Sequence, residues 1–227
     1  MSTPEPADTP APSDPTHAER HEHGYPLRDD ESVWDARYAE LDRVWSGEPN
    51  QALTVEVSTL TPGRALDVGC GEGADAVWLA TRGWQVTGLD PSGVALDRAR
   101  AAAGTARADV TWVHGGLVGG DLPEAGFDLV SVFYPALDLE TGPVARLASL
   151  VAPGGTLLLV HHAHVDRERA LEHGFDPDTL LAPADVTAEA LGEGWSVTGP
   201  ELRPRSVSGG AGAHHHDDLV VRATRTG

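Results

Sequence analysis

The chain has 227 residues, enough for one domain with a sizeable core, and its 35 acidic against 16 basic side chains leave a net charge of −19. Without a basic run it lacks the surface that neutralises phosphates, which argues against a DNA or RNA substrate and for a small molecule. No apolar run nears membrane-spanning length, and a single cysteine, Cys70, leaves no internal disulfide framework, so a cytoplasmic protein is expected.

In chain order, residues 1–28 come first, acidic and Pro-rich with almost no large apolar side chain. Such a stretch cannot bury enough surface to offset its ordering entropy, and a disordered tail is expected. It has neither the basic start nor the apolar core of a signal peptide. Residues 29–227 are expected to form one domain. In its first part, Trp34 and Tyr38 are spaced i, i+4, as on one face of a helix.

Strands and helices then alternate. Strand one is expected at Arg64–Val68, followed by a helix from about Gly73 to Arg82. Strand two is Trp84–Asp90, then an Ala- and Arg-rich helix Gly93–Ala103. Strands three and four are Val110–His114 and Phe127–Phe133. A helix near Gly142–Val151 ends at the stop signal Pro153-Gly154-Gly155. Strand five, Thr156–His161, is a continuous apolar run and so expected to be central. A helix near Ala184–Leu191 leads to strands six, Trp195–Leu202, and seven, Asp218–Thr224. No helix separates the last two, which predicts an antiparallel pair. The pattern is that of an α/β, Rossmann-like, doubly wound and mostly parallel seven-stranded sheet with an antiparallel last strand. Trp78, Trp84, Trp112 and Trp195 fall within the pattern as packing residues.

The most informative stretch is ALDVGCGEGADAVWLA, Ala65–Ala80. An apolar strand runs into Gly69-Cys70-Gly71-Glu72-Gly73 and then into a helix. Glycines at alternate positions let the backbone turn sharply and approach a ligand, and the helix N-terminus faces the turn. About twenty residues on, Val86-Thr87-Gly88-Leu89-Asp90 ends an apolar strand in a carboxylate, which in a nucleotide-type site accepts hydrogen bonds from ribose hydroxyls. Asp67 in the strand and Glu72 in the turn disfavour a pyrophosphate and suit a cationic amino-acid group.

The DVGCGEG turn with its following Asp90 resembles the class I S-adenosylmethionine (SAM) dependent methyltransferases. Phe127-Asp128-Leu129-Val130 and Ala152-Pro153-Gly154-Gly155-Thr156 resemble the family's fourth strand and its turn into the fifth. The resemblance implies that Asp67, Gly69, Cys70 and Gly71 lie at the cofactor's amino-acid end and that Asp90, with Pro91, holds the ribose. It puts Gly116 and Leu117 at the adenine, where many members have an acid and this chain has Gly115-Gly116-Leu117. It puts Phe133 beside the transferred methyl group. SAM is the implied cofactor and S-adenosylhomocysteine (SAH) the product.

Upstream, Trp34-Asp35-Ala36-Arg37-Tyr38 and Val44-Trp45-Ser46-Gly47-Glu48-Pro49-Asn50 resemble the tellurite-resistance and thiopurine-type small-molecule methyltransferases. There these segments form a lid, which implies a helical lid over about 29–62 here. Trp34, Tyr38 and Trp45 then face the cofactor's sulfonium, since aromatic faces attract cations. The competing reading is ordinary helix core.

Histidines are the second unusual feature. His161, His162 and His164 end strand five, and His214, His215 and His216 immediately precede strand seven. Strand seven lies next to five in the resembling fold and starts on the side where parallel strands end, so both clusters are expected to overhang the acceptor pocket. Three readings stand. The histidines are solvated loop; or His161 or His162 is a general base or substrate-binding group; or the six, with Asp166, Asp217 or Asp218, hold a metal, for which no diagnostic spacing exists.

The expected function is SAM-dependent methyl transfer to a small nucleophile, a thiol, a reduced chalcogen or another small metabolite. The alternatives are a non-catalytic SAM- or metal-binding protein and a nicotinamide-dependent oxidoreductase. The sequence names neither the acceptor nor the oligomeric state.

Overall fold

A computed structural model describes residues 30–120, 122–172 and 176–227. The expected tail at 1–28, with His17, His21 and His23, lies outside the described residues, as does His173.

Two short helices, α1 (Glu31–Glu40) and α2 (Gln51–Glu56), precede the sheet. Asp30 starts α1 by accepting the backbone N–H groups of Ser32 and Val33. The alternating part then runs β1 (Arg64–Val68), α3 (Ala74–Ala80), β2 (Gln85–Asp90), α4 (Gly93–Ala106), β3 (Val110–His114) and β4 (Phe127–Phe133). It continues α5 (Pro143–Leu150), β5 (Val151–His162), α6 (Arg167–Glu172), α7 (Ala188–Leu191), β6 (Trp195–Pro204) and β7 (Asp217–Arg225).

The seven strands lie in the order β3-β2-β1-β4-β5-β7-β6. All neighbours are parallel except that β7 runs antiparallel to both β5 and β6. This is the expected Rossmann-like sheet, with β7 beside β5. The order reverses between β1 and β4, so the crevice above that point is where such sheets take ligands.

Alternate residues of the buried strands feed opposite faces. Leu157 and Leu159 of β5 join Leu66, Val68, Leu147 and Leu150 on the face covered by α5. Leu158 and Val160 join Leu53, Ala76 and Leu79 on the face covered by α2 and α3. Both faces are covered, as the unbroken apolar run of β5 requires. Trp84 is buried there, and Trp78, Trp112 and Trp195 pack against the two cores as expected.

Three local features differ from the sequence reading. β5 begins at Val151, not Thr156, and Pro153-Gly154-Gly155 lies inside it: Val151 pairs with Phe127, and the ladder resumes at Leu129 with Thr156 after a register break. The helix before β6 is only Ala188–Leu191, because Pro183–Asp185 makes a separate 3-10 turn. α6 was not anticipated; Asp166 starts it by accepting the Arg169 N–H at 3.1 Å. None of the helices among the described residues is long and apolar enough to cross a membrane.

Candidate active site

β1 ends in a turn whose amides are taken by β2. The N–H groups of Gly69 and Cys70 both donate to the Leu89 carbonyl, at 2.8 and 3.0 Å. The Gly71 N–H donates to Asp90 Oδ2 at 2.7 Å, and Asp90 Oδ1 accepts from Ser92 at 2.9 Å. The turn therefore does not aim these donors at a ligand. Its open side is at Gly69, whose φ is +69° and where an added Cβ would meet nothing within 4 Å. Gly71, at φ +52°, is roofed: a Cβ there would lie 2.8 Å from the Tyr38 hydroxyl. Cys70 is buried, and burial followed by the Asp90 charge pushes its thiol well above the ordinary range. Such burial disfavours the thiolate form.

Three carboxylates are buried around this turn, with Asp67 3%, Asp75 7% and Asp90 5% exposed. Asp67 Oδ1 accepts a long hydrogen bond from Ser131 (3.3 Å), whereas its Oδ2 is buried without a hydrogen-bond partner. Burial first, then the charge of Asp75, holds the Asp67 carboxyl well above the usual carboxylate range. Burial likewise raises Asp75 to about 6, although Asn50 donates its backbone N–H (2.7 Å) and its amide (2.6 Å) to it. Crowded acids with an orphaned oxygen form a site that a cation relieves.

The segment above the turn is fastened by carboxylates. Glu72 accepts the N–H groups of Val44 and Trp45 and pairs with Arg98 at 2.9 Å. Arg98 also donates to the carbonyls of Tyr38 and Leu41. Asp35 accepts from the Ser92 hydroxyl (2.6 Å) and the Val94 amide (3.1 Å). Tyr38 is buried, accepts from Trp45 Nε1 at 2.8 Å and lies 6.2 Å from the Trp34 ring. Glu72 was expected to contribute negative charge beside a ligand; the structure spends it on the backbone of residues 44 and 45. The fastening roles of Glu72, Arg98, Asp35 and the Asn50–Asp75 pair escaped the sequence reading, although Asn50 and an acid in the first turn of α3 were visible signals.

The remaining expected cofactor contacts are spread along the same edge. Pro91 is buried, and its carbonyl faces His114 Nε2 at 2.8 Å. Gly116 accepts from Gly120 at 2.9 Å. The Leu117 side chain is 1% exposed and packs in the core with Leu89 and Leu122, and its carbonyl accepts from Arg146 Nε at 3.4 Å. Phe133 packs against the core at the end of β4.

Both histidine clusters meet, as the topology predicted, but through ring faces. The His162 ring stacks on Tyr134 at 4.2 Å and on His215 at 3.6 Å, and His215 lies 4.0 Å from His214. His161 is 5.7 Å from His162 and 6.3 Å from Tyr134. Burial, then neighbouring His162, pushes His161 down to about 4; burial pushes His215 to about 3. His164 and His216 are exposed and enter none of these ring contacts. Among the described residues no group of three or more His, Cys, Asp or Glu is arranged to hold a metal ion.

Fold and site together are those of a Rossmann-like α/β sheet with a glycine turn after β1 and a carboxylate at the end of β2. Residues 65–155 match the methyltransferase-domain family. An uncharacterized methyltransferase of Mycobacterium bovis is 36% identical over 124 residues, covering 53% of this chain and 61% of its own. A ribosomal RNA small subunit methyltransferase C of Alcanivorax borkumensis is 33% identical over 50% of this chain and 37% of its own. The chain thus spans less than two thirds of the length of these relatives. Among solved structures, one described under the conversion of a disulfide bond into a thioacetal group during echinomycin biosynthesis has a TM-score of 0.67 at 24% identity, covering 86% of this chain and 91% of its own. A magnesium protoporphyrin IX methyltransferase of Synechocystis with bound SAH has a TM-score of 0.55 at 22% identity, covering 77% and 80%. At these identities the structures speak for the fold.

Proposed function

We propose that the protein transfers a methyl group from SAM to a small-molecule nucleophile. The observation that carries this reading is the cluster of acids at the turn: buried Asp67, Asp75 and Asp90, with Asp67 Oδ2 orphaned, beside the open side of Gly69. SAM carries two cationic centres, its ammonium and its sulfonium, and these acids fit them. A pyrophosphate does not fit, since two more negative charges beside three buried carboxylates would be repelled.

When bound, SAM supplies a methyl group already activated as an electrophile. The chain's own residues then align the acceptor and exclude water. Asp67 orients the amino-acid end. Asp90, fixed by the Gly71 and Ser92 amides, takes the ribose hydroxyls. The segment over residues 30–62 acts as a lid, with Tyr38 and Trp45 closing on Gly71. This arrangement supports the likeness to tellurite-resistance and thiopurine-type enzymes. Nothing in the net charge of −19 suits an RNA phosphate backbone, which favours a small acceptor although two of the relatives are named for ribosomal RNA.

Calorimetric titration with SAH, SAM and NADH tests the cofactor, and labelled SAM with small thiols, phenols, selenide and tellurite tests the acceptor. Tight SAH binding, negligible NADH binding and transfer to a small molecule are expected. NADH binding comparable to that of SAH would overturn the reading in favour of an oxidoreductase. SAH binding with transfer to ribosomal RNA alone would overturn the acceptor class. SAH binding without any transfer would favour a non-catalytic sensor.

A further inference from the structure

We propose that Asp218, fixed by Tyr134 and Arg205, positions His162 to take the proton of a hydroxyl acceptor. The substrate class is then a small molecule with a weakly acidic O–H, not a preformed thiolate or chalcogenide. This deepens the SAM-dependent reading and rests on it.

Two buried polar atoms carry the inference. His162 Nδ1 and Asp218 Oδ1 are each buried without a hydrogen-bond partner, and they stand 3.4 Å apart, an ion-pair distance that a small rotation of the ring turns into a hydrogen bond. The second carboxylate oxygen is already committed: Asp218 Oδ2 accepts from the Tyr134 hydroxyl at 2.9 Å and lies 3.7 Å from Arg205 Nε. Oδ1 is thus left for the imidazole. A proton on Nδ1 satisfies both atoms, and the lone pair of a neutral ring then lies on Nε2.

The surroundings lock this pair. Tyr134 is a non-glycine residue at φ +51°, a strained left-handed conformation that persists only where its neighbours over-determine it. Its N–H is held by the Val160 carbonyl at 2.8 Å, its hydroxyl by Asp218 and its ring by His162. Arg205 sits 5.2 Å over the Tyr134 ring and donates to the carbonyls of Gly212 and His215. With Tyr134 on one face and His215 on the other, the His162 ring keeps freedom only in its own plane.

Position suits the role. The ends of β4 and β5 lie one and two strands from the end of β1, about 5 and 10 Å across the crevice. In the step, the acceptor oxygen forms the new bond to the methyl carbon while its proton passes to His162 Nε2. The carbon–sulfur bond breaks with its electron pair on sulfur, leaving neutral SAH. The imidazolium is stabilised by Asp218 behind it and later loses its proton to solvent. A thiolate acceptor has no proton to give, and the pair would then have no part in the step.

The charged and titratable groups facing His162 are Asp218 on β7, Arg205 beyond β6, Tyr134 after β4, His161 on its own strand, and His214 and His215 in the loop. Burial lowers the His162 pKa and Asp218 opposes it, so the ring is neutral and ready to accept a proton at pH 7.

The test uses the full chain, SAM, substituted phenols and the matching thiophenols, with SAH calorimetry as the control for folding. His162→Asn keeps an amide donor for Asp218 but has no base. It is expected to lose about 100-fold on phenols and little on thiophenols, with SAH affinity retained. Asp218→Asn is expected to move the midpoint of the pH–rate profile to lower pH and to remove the Nδ1–H tautomer from the 15N spectrum of His162. Unchanged phenol rates in His162→Asn, transfer confined to thiophenols, no phenol methylated despite SAH binding, or an Nε2–H tautomer in the parent protein would each overturn the proposal. Failure of the parent protein to bind SAH would instead bring down the methyltransferase reading, and this inference with it.

Discussion

Glu72 Oε2 accepts the backbone N–H of Trp45 at 2.9 Å, so a residue of the glycine turn holds the segment that covers that same turn. The same carboxylate reaches Val44 and Arg98 and is almost fully shielded from solvent. Turn and cover are thereby tied together through one carboxylate.

Glu72→Gln keeps the shape but removes the charge. Hydrogen bonds to charged groups contribute about 1.5–3 kcal/mol, so SAH affinity should fall roughly 10- to 100-fold. Faster amide hydrogen exchange over residues 38–50, with α4 and β4 unchanged, checks that the loss is local.

Gly69→Ala separates binding from stability. The new Cβ points into open space, so the cost to the fold is only that of a left-handed alanine, about 1–2 kcal/mol. SAH binding should nevertheless fall below detection by calorimetry, because that open space is where the ligand's backbone approach is expected. Gly71→Ala, whose Cβ would press on the Tyr38 hydroxyl at 2.8 Å, should lower both the melting temperature and the affinity.

Affinity for SAM should rise with pH through about 6. Asp75, raised to about 6 by burial, and Asp67, raised further by burial and Asp75, hold protons more tightly than free carboxyls. A bound cation lowers both values, so the complex holds fewer protons and binding releases them. Below pH 6 that release opposes binding. Calorimetry at pH 5 to 8 in buffers of differing ionisation enthalpy should show both the falling affinity at low pH and the released protons.

The same raised values predict the sign of stability in the ligand-free protein. Because the folded Asp75 pKa exceeds the unfolded one near 3.8, its contribution is fully present below about pH 4 and is lost as pH rises through 6. Asp75→Asn should flatten that part of the stability curve, measured by chemical denaturation across pH 4 to 7.

Much of the scaffold was legible in the chain itself. The apolar strands, the glycine turn and the carboxylate ending β2 are local patterns, and all but the start of β5 fell within a residue or two of their observed places. The boundaries that moved were set at a distance. Val151 enters β5 early because Phe127 of β4 is there to pair with it, and the stop signal at Pro153-Gly154-Gly155 became a break in register instead of a loop. The acids fared in the same way. Glu72 looked like charge for a ligand, yet its partners are 26 to 28 residues away in sequence, and no local pattern announces them.

The sequence alone determined the sheet, the turn and the identity of the acids around it, because strand period, glycine conformation and the strand-end carboxylate are properties of neighbouring residues. Only the tertiary structure decided which groups the histidines face. Tyr134, His162, Arg205 and Asp218 come from four separate parts of the chain, and it is the placement of antiparallel β7 against β5 that sets Asp218 opposite His162 in register. Whether an imidazole is a ligand, a bystander or a base depends on which buried atom faces it, and that is fixed by packing between distant segments, not by spacing along the chain.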